Sequence, residues 1–339
     1  MKLTPQAVFA QARERRASDV HVTSGYPIFL RIDGELTPLS EEKLTPEEAV
    51  SFVRAVLGEE AWKRFEQDRE IDLSFAVEGD GRLRVNCYFE RGRPGLVARL
   101  VPSEIPTLDA IGLAGIAEPL CALKEGLILF TGPTGCGKST SLAAIIQHIN
   151  TERAASIVTL EDPIEFLFPQ GKSVIRQREI GSDFLSFPEA LRHVLRQDPN
   201  VIMVGEMRDL ETIAAALTLA ETGHLILATL HTPNAAQSID RIVDVFPPHQ
   251  QAQIRSELSL SLKAIIAQRL VPSAKGGRTA VREILLNTPA VANIIRDHRL
   301  QELSTVLQTG GDRGMRTFAK DAQRLVKEGM ISKEVAEGM

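Results

Sequence analysis

Eight residues, Gly132-Pro133-Thr134-Gly135-Cys136-Gly137-Lys138-Ser139, restrict this chain more than any other stretch of it. They fit G-x-x-x-x-G-K-[ST] at every fixed position. An apolar run, Leu127 to Phe130, precedes them, and a helix-prone segment, Thr140 to Ile149, follows. Strand, glycine loop and helix start are the context this motif needs. The glycines let backbone N–H groups turn inward around a phosphate, and the helix N-terminus adds positive partial charge. Lys138 is expected to reach the β- and γ-phosphates of ATP. Ser139 is expected to ligate Mg²⁺, with Thr140 completing the binding set. An ordinary glycine turn before a helix is the bland alternative, and it leaves the flanking strand unexplained.

The rest of the sequence supplies a frame for that loop. The strands expected after it are Ser156–Leu160, Val201–Val204 and Leu225–Leu230. They are near-continuous apolar runs of the kind a parallel sheet covered on both faces requires. Ser186-Phe187-Pro188-Glu189 reads as a capping box opening a helix that ends near Gln197. One further strand, Ala280 to Leu286, precedes a tail of short helices. The first hundred residues are of another kind. Ile71, Leu73, Phe75 and Val77 alternate with polar residues, as do Leu83, Val85, Cys87 and Phe89, on either side of Glu78-Gly79-Asp80-Gly81. That pattern predicts a hairpin with one buried face. Asp33-Gly34 marks another turn after a strand from Ile28 to Ile32. Thr45-Pro46-Glu47-Glu48 predicts a capped helix burying Val50, Val53, Val56 and Leu57 and stopping at Gly58. The expected organisation is an N-terminal α+β domain over 1–101, a linker over 102–115 and an α/β nucleotide-binding domain over 116–339, with a helical tail from about 287.

Composition narrows the partners. The formal net charge of −5 gives no general attraction to nucleic acid. No apolar run reaches the length of a transmembrane span. Arg13, Glu14, Arg15 and Arg16 stand where a signal peptide would need its apolar region. The three cysteines, Cys87, Cys121 and Cys136, form no C-x-x-C pair, so neither a zinc ribbon nor a disulfide framework is expected.

Hydrolysis needs groups beyond the loop. Glu206 follows the apolar run Val201–Val204 and Gly205, at the strand end where ligands bind in such sheets. It could hold the magnesium shell, directly or through water, or polarise the attacking water. Glu161, Asp162 and Glu165 follow the strand ending at Leu160, and one of them could act as general base. His231 and His224 bracket the strand Leu225–Leu230. Their odd spacing of seven keeps them off a common face. His231 stands at the γ-phosphate end, as a reporter of hydrolysis or a structural imidazole. His224 stands at the other end, where capping or an interface role fits better.

These residues together resemble the secretion-type ATPases, the hexameric motors of type II secretion and type IV pili. GPTGCGKST, TLEDPIEF, LRQDPNVIMVGEMRDLETI and TGHLILATLHT look like the family's four successive boxes. Ala17 to Val22 and Arg31 to Gly34 resemble its opening. Assembly members carry a four-cysteine zinc insertion that this chain lacks. In length and in its tail it resembles the PilT-type retraction ATPases instead. One position departs from them: in Ala290-Val291-Ala292-Asn293-Ile294-Ile295-Arg296-Asp297 the first arginine of the family's helix is Ala292.

The resemblance implies a PAS-like N-terminal domain, a RecA-like ATPase domain and a homo-hexameric ring that binds ATP and Mg²⁺ between the two domains. It implies that Glu206 is the catalytic glutamate and Glu165 the general base, that His224 and His231 form a histidine box, and that Arg84 and Arg99, with Arg82 as a weaker match, approach the γ-phosphate. It further implies a motor in the cytoplasm, held at the cytoplasmic face of the inner membrane by a pilus platform protein, and driving pilus retraction and twitching motility. An accessory retraction ATPase, a nucleotide-binding scaffold that does not cycle and a DNA motor are the competing expectations.

Overall fold

The computed structural model describes residues 4–32, 34–77, 81–101 and 104–338. Asp33 and Glu78-Gly79-Asp80 of the expected turns, and Pro102 and Ser103 of the expected linker, lie outside the described residues. The chain divides into two compact units, Met1–Glu104 and Ile105–Met339.

The N-terminal unit is a six-stranded antiparallel sheet of β1 (Asp19–Val22), β2 (Phe29–Ile32), β3 (Glu35–Pro38), β4 (Glu70–Val77), β5 (Gly81–Glu90) and β6 (Arg93–Leu100). The strand order is β3-β2-β1-β6-β5-β4. Alternation along β5 buries Leu83, Val85 and Cys87 and leaves Arg84 exposed. The buried face packs against Val8 and Phe9 of the Pro5–Glu14 helix and Phe52, Val53 and Phe65 of the Pro46–Asp68 segment. Thr45 caps that segment as a full capping box: its hydroxyl accepts from Glu48 N–H at 3.2 Å, and the Glu48 carboxylate accepts from Thr45 N–H at 2.8 Å. The expected stop at Gly58 is a break within the segment. Gly58 leaves helical geometry at φ 72°, and helix resumes beyond it to Asp68.

The C-terminal unit has seven strands: β7 (Gly126–Thr131), β8 (Ser156–Glu161), β9 (Val174–Glu179), β10 (Val201–Val204), β11 (Leu225–Leu230), β12 (Leu262–Pro272) and β13 (Arg278–Leu286). Their order is β13-β12-β7-β11-β10-β8-β9. All neighbours run parallel except β12 and β13. Leu127 and Leu129 enter the core on one face of β7, and Ile128 and Phe130 enter the core on the other. A strand buried on both faces therefore reads as an unbroken apolar run. This is a mixed α/β fold, as the apolar runs predict, with the RecA-like C-terminal domain that the family resemblance implies. Two strands, β9 and β12, are additions to that prediction. The helix after Ser186 starts there and gives way to a 3₁₀ turn ending at Gln197, but the Ser186 side chain makes no capping hydrogen bond. The sequence therefore placed that helix start correctly on a capping signature that its side chain does not use.

Candidate active site

The phosphate loop leaves β7 at its C-terminal end, where register alone gathers the other candidates. Thr131 of β7 pairs with Leu230 of β11, Ala228 of β11 with Val204 of β10, and Val204 with Leu160 of β8. Gly132, His231 and Gly205-Glu206, which follow their strands, and Glu161, the last residue of β8, accordingly share one edge of the sheet.

Glycine is required at Gly132 for two reasons. Its φ is 137°, and a Cβ there would stand 2.3 Å from the Gln268 carbonyl oxygen and 2.7 Å from Cys136 Sγ. Gly135 and Gly137 also have positive φ. The helix Lys138–Glu152 begins directly after Gly137. Lys138 is 8% exposed, and its ammonium donates to the carbonyls of Gly132 at 2.7 Å and Pro133 at 3.1 Å. Burial pushes its pKa down, while Cys136 and the carboxylates of Glu206 and Glu165 pull the other way. Ser139 and Thr140 are half-buried in the first turn of the helix, while Pro133, Thr134 and Gly135 are exposed at the loop's outer side.

Gly205 lets β10 turn beside β8: its N–H donates to the Leu160 carbonyl at 2.7 Å, and a Cβ would lie 3.0 Å from that same oxygen. The buried Thr229 hydroxyl donates to the Gly205 carbonyl at 2.5 Å. The turn delivers Glu206, whose Oε1 lies 2.6 Å from Arg208 Nε and 3.0 Å from His231 Nε2. Burial raises the Glu206 pKa, but the hydrogen bond from Arg208 and the charge of His231 outweigh it and hold the carboxyl below its ordinary value. Arg208 was not among the residues singled out in the sequence. Its only signal is its place two residues after Glu206.

The acidic loop divides by exposure. Asp162 and Glu165 are exposed, whereas Glu161 is buried. Glu161 accepts from the Thr159 hydroxyl at 2.6 Å and from Gln177 Nε2 at 3.1 Å. Burial pushes its pKa up despite those bonds. Glu179 accepts from Ile164 N–H at 3.1 Å and so ties the loop to β9.

His224 is not brought to this edge. It precedes β11, its carbonyl accepts from Gly126 N–H at the start of β7, and its Nδ1 lies 3.2 Å from the Leu219 carbonyl. That is the N-terminal edge of the sheet, opposite the loop. Arg84 and Arg99 belong to the N-terminal unit, directly opposite one another on β5 and β6. Arg99 Nε donates to Asp19 Oδ1 at 2.9 Å, and Arg84 is exposed. Burial raises the pKa of Asp19, but the Ser18 hydroxyl and Arg99 more than offset this and hold it below its ordinary value. Among the described residues no His/Cys/Asp/Glu group suits a metal ion. Ser139 in the loop and Glu206 at the same sheet edge offer a hydroxyl and a carboxylate, donors of the kind Mg²⁺ takes alongside phosphate oxygens. Chemically, the edge offers a cationic glycine cradle, an ionised carboxylate backed by an imidazole, and a second, exposed carboxylate at Glu165.

Comparison with known proteins identifies the chain's family. The sequence matches the family described as "Type II/IV secretion system protein" over residues 1–337. It is 43% identical to the "Type IV pilus retractation ATPase PilT" of Pseudomonas aeruginosa over 97% of this chain and 96% of that protein. It is 43% identical to the "Twitching motility protein" of Neisseria gonorrhoeae over 95% of this chain and 88% of that one. Among solved structures it resembles the pilus retraction motor PilT with bound ADP, at a TM-score of 0.92 and 44% identity over 98% of this chain and 96% of that one.

Proposed function

The chain belongs to the type II/IV secretion system protein family, and from that premise we propose that it is the ATP-hydrolysing ring motor of type IV pilus retraction. Its activity is that of a P-loop ATPase. In our reading Gly132 to Thr140 cradle the phosphates, Lys138 neutralises the β- and γ-oxygens, and Ser139 and Glu206 would hold Mg²⁺, Glu206 directly or through water. Bound Mg²⁺ supplies charge neutralisation at the transferring phosphoryl group. Glu206 and Glu165 orient and deprotonate the attacking water, and His231, in contact with Glu206, carries the change in charge to the loop that follows it. Arg84 and Arg99 add positive charge to the transition state. The working assembly is a homo-hexamer. It acts at the cytoplasmic face of the inner membrane through a platform protein. No described helix is long and apolar enough to cross a membrane. The chain acts on protein rather than on nucleic acid.

One observation carries this reading: Lys138 in a glycine cradle at the same sheet edge as a Glu206 kept ionised by Arg208 and His231. The test is phosphate release from Mg-ATP by the purified full chain, with its mass in solution measured alongside. Turnover by a hexamer is expected. Lys138→Ala should abolish turnover and strongly weaken ATP binding, and full activity in that variant would remove the loop from the mechanism. An accessory role in retraction is the second reading. It is favoured by Ala292, half-buried on the Pro289–Arg296 helix where the retraction members carry arginine. Loss of surface motility on deletion of the gene separates a principal motor from an accessory one.

A further inference from the structure

Gln268 lies on β12, one residue past the point where Ala267 pairs with Thr131 of β7. Strand β12 thus runs on beside the phosphate loop after β7 has turned away into it. The side chain is 1% exposed and makes two hydrogen bonds. Its Nε2 donates to the Cys136 carbonyl at 2.8 Å, and its Oε1 accepts from the Ser141 hydroxyl at 3.0 Å. The orientation of the amide follows from chemistry. The Cys136 carbonyl can only accept, so the NH₂ must face it and the oxygen must face the hydroxyl. The backbone of Gln268 is equally close, since its carbonyl oxygen is the atom nearest a Cβ at Gly132.

A phosphate loop works by turning N–H groups inward, so its carbonyls must turn outward and find partners elsewhere. In a planar trans peptide the C=O and the following N–H point in opposite directions. Holding the Cys136 carbonyl against β12 therefore aims the Gly137 N–H the other way, toward the side of the loop that takes phosphate. An aliphatic side chain at 268 would leave a buried carbonyl without this donor and that peptide plane without its anchor. We propose that Gln268 is a positioning residue for nucleotide: it sets the peptide plane between Cys136 and Gly137, and through it the affinity of the loop for the phosphates of ATP and ADP. This rests on the reading of the loop as the nucleotide site.

The contact is made to the protein and not to the reacting atoms, so it acts equally on ground and transition states. Its loss should raise KM with little change in kcat. In the full chain, Gln268→Leu is expected to raise the KM for Mg-ATP and the dissociation constant of Mg-ADP about tenfold, the scale of one lost hydrogen bond and one stranded carbonyl. The kcat should stay within about threefold. Gln268→Glu keeps an acceptor for Ser141 but loses the donor, and should resemble Gln268→Leu. Ser141→Ala removes only the other arm and should stay within about threefold of the wild type in every constant. Gln268→Met, with an unbranched side chain of similar length, replaces Gln268→Leu should that variant not fold. A role in folding alone predicts a lower melting temperature with unchanged nucleotide constants. A folded Gln268→Leu or Gln268→Met that binds Mg-ADP as the wild type does overturns the proposal. Lys138→Ala distinguishes the two failures: if it too binds normally the loop reading falls, and if it alone loses binding only the role of Gln268 falls.

Discussion

Glu206 is ionised because of what touches it. Burial works against its charge, but Arg208 and His231 hold its pKa below the ordinary 4.5. With a folded pKa below the unfolded one, its contribution to stability is present at neutral pH and above the unfolded value. That contribution is lost as pH falls through the depressed folded value, so the window lies below 4.5. Removing a cation reverses the shift. Arg208→Ala should therefore move the acid limb of the pH–rate profile upward, modestly because an exposed partner is screened by water. An unmoved limb would mean that Glu206 does not govern it. Glu206→Gln should still bind Mg-ATP but turn over at least ~10²-fold slower in a single-turnover assay. A rate near the wild-type value would take Glu206 out of the chemistry. Residues of this kind were legible in the sequence when they sat in a motif or closed an apolar run, as Lys138, Glu206 and His231 do. Gln268 was not, because its partner Cys136 lies 132 residues away and only the fold brings them together. Arg208 was not, because spacing two residues from Glu206 does not show that its guanidinium folds back onto that carboxylate. Glu161 and Glu165 were legible as a cluster, but their contrast in burial was not.

At the scale of elements, legibility followed punctuation. Strands β7, β8, β10 and β11 are apolar runs bounded by turns, and their positions could be read directly. Strand β12 emerges straight from the Pro248–Ser261 helix with neither Gly nor Pro between them, so nothing in the sequence marks the change of period. Missing that strand also hid Gln268. Strand β9 is an edge strand whose exposed positions dilute its apolar signal. The tail is fastened to the sheet by a feature equally invisible in sequence. Asp321, on the Phe318–Lys327 helix, is 1% exposed. It accepts from the backbone N–H of Arg282 on β13 at 2.8 Å, and from Arg316 Nη1 and Arg324 Nε at 2.9 Å each. Arg282, in turn, reaches the Ile111 carbonyl at 2.7 Å, and burial with too few counter-charges brings its pKa down to about 10. Asp321→Ala leaves these donors without their carboxylate and should cost about 3 kcal/mol in urea unfolding. A loss under about 0.5 kcal/mol, the scale of an ordinary surface change, would mean that the tail is held by Phe318 and Leu325 packing alone.

At the scale of the whole chain, the two units carry separate cores. One core is built from residues between Val8 and Ala98, and the others from residues between Leu108 and Ile331. A unit of roughly a hundred residues with its own core is of a size that folds alone. Fragment 1–104 is therefore expected to unfold cooperatively by circular dichroism. Fragment 105–339 holds Lys138, Ser139, Glu206, His231 and Gln268, so if these residues make the binding site by themselves it should bind Mg-ADP within about threefold of the full chain. Its turnover is another matter. If the arginines of the N-terminal unit stabilise the transferring phosphoryl group, their removal with that unit should slow hydrolysis at least ~10²-fold. Truncation could also break a ring, so the cleaner comparison is a point change in the full chain. Arg99 is the poorer choice, because replacing it strands the buried Asp19. Arg84 is exposed and among the described residues its loss strands no such carboxylate, so Arg84→Ala should fold and keep the wild-type mass. A slow Arg84→Ala of unchanged mass and unchanged Mg-ADP affinity would tie the N-terminal sheet to the chemical step. A fast one, together with a fast fragment 105–339, would confine catalysis to the C-terminal unit and leave the N-terminal unit a mechanical part only.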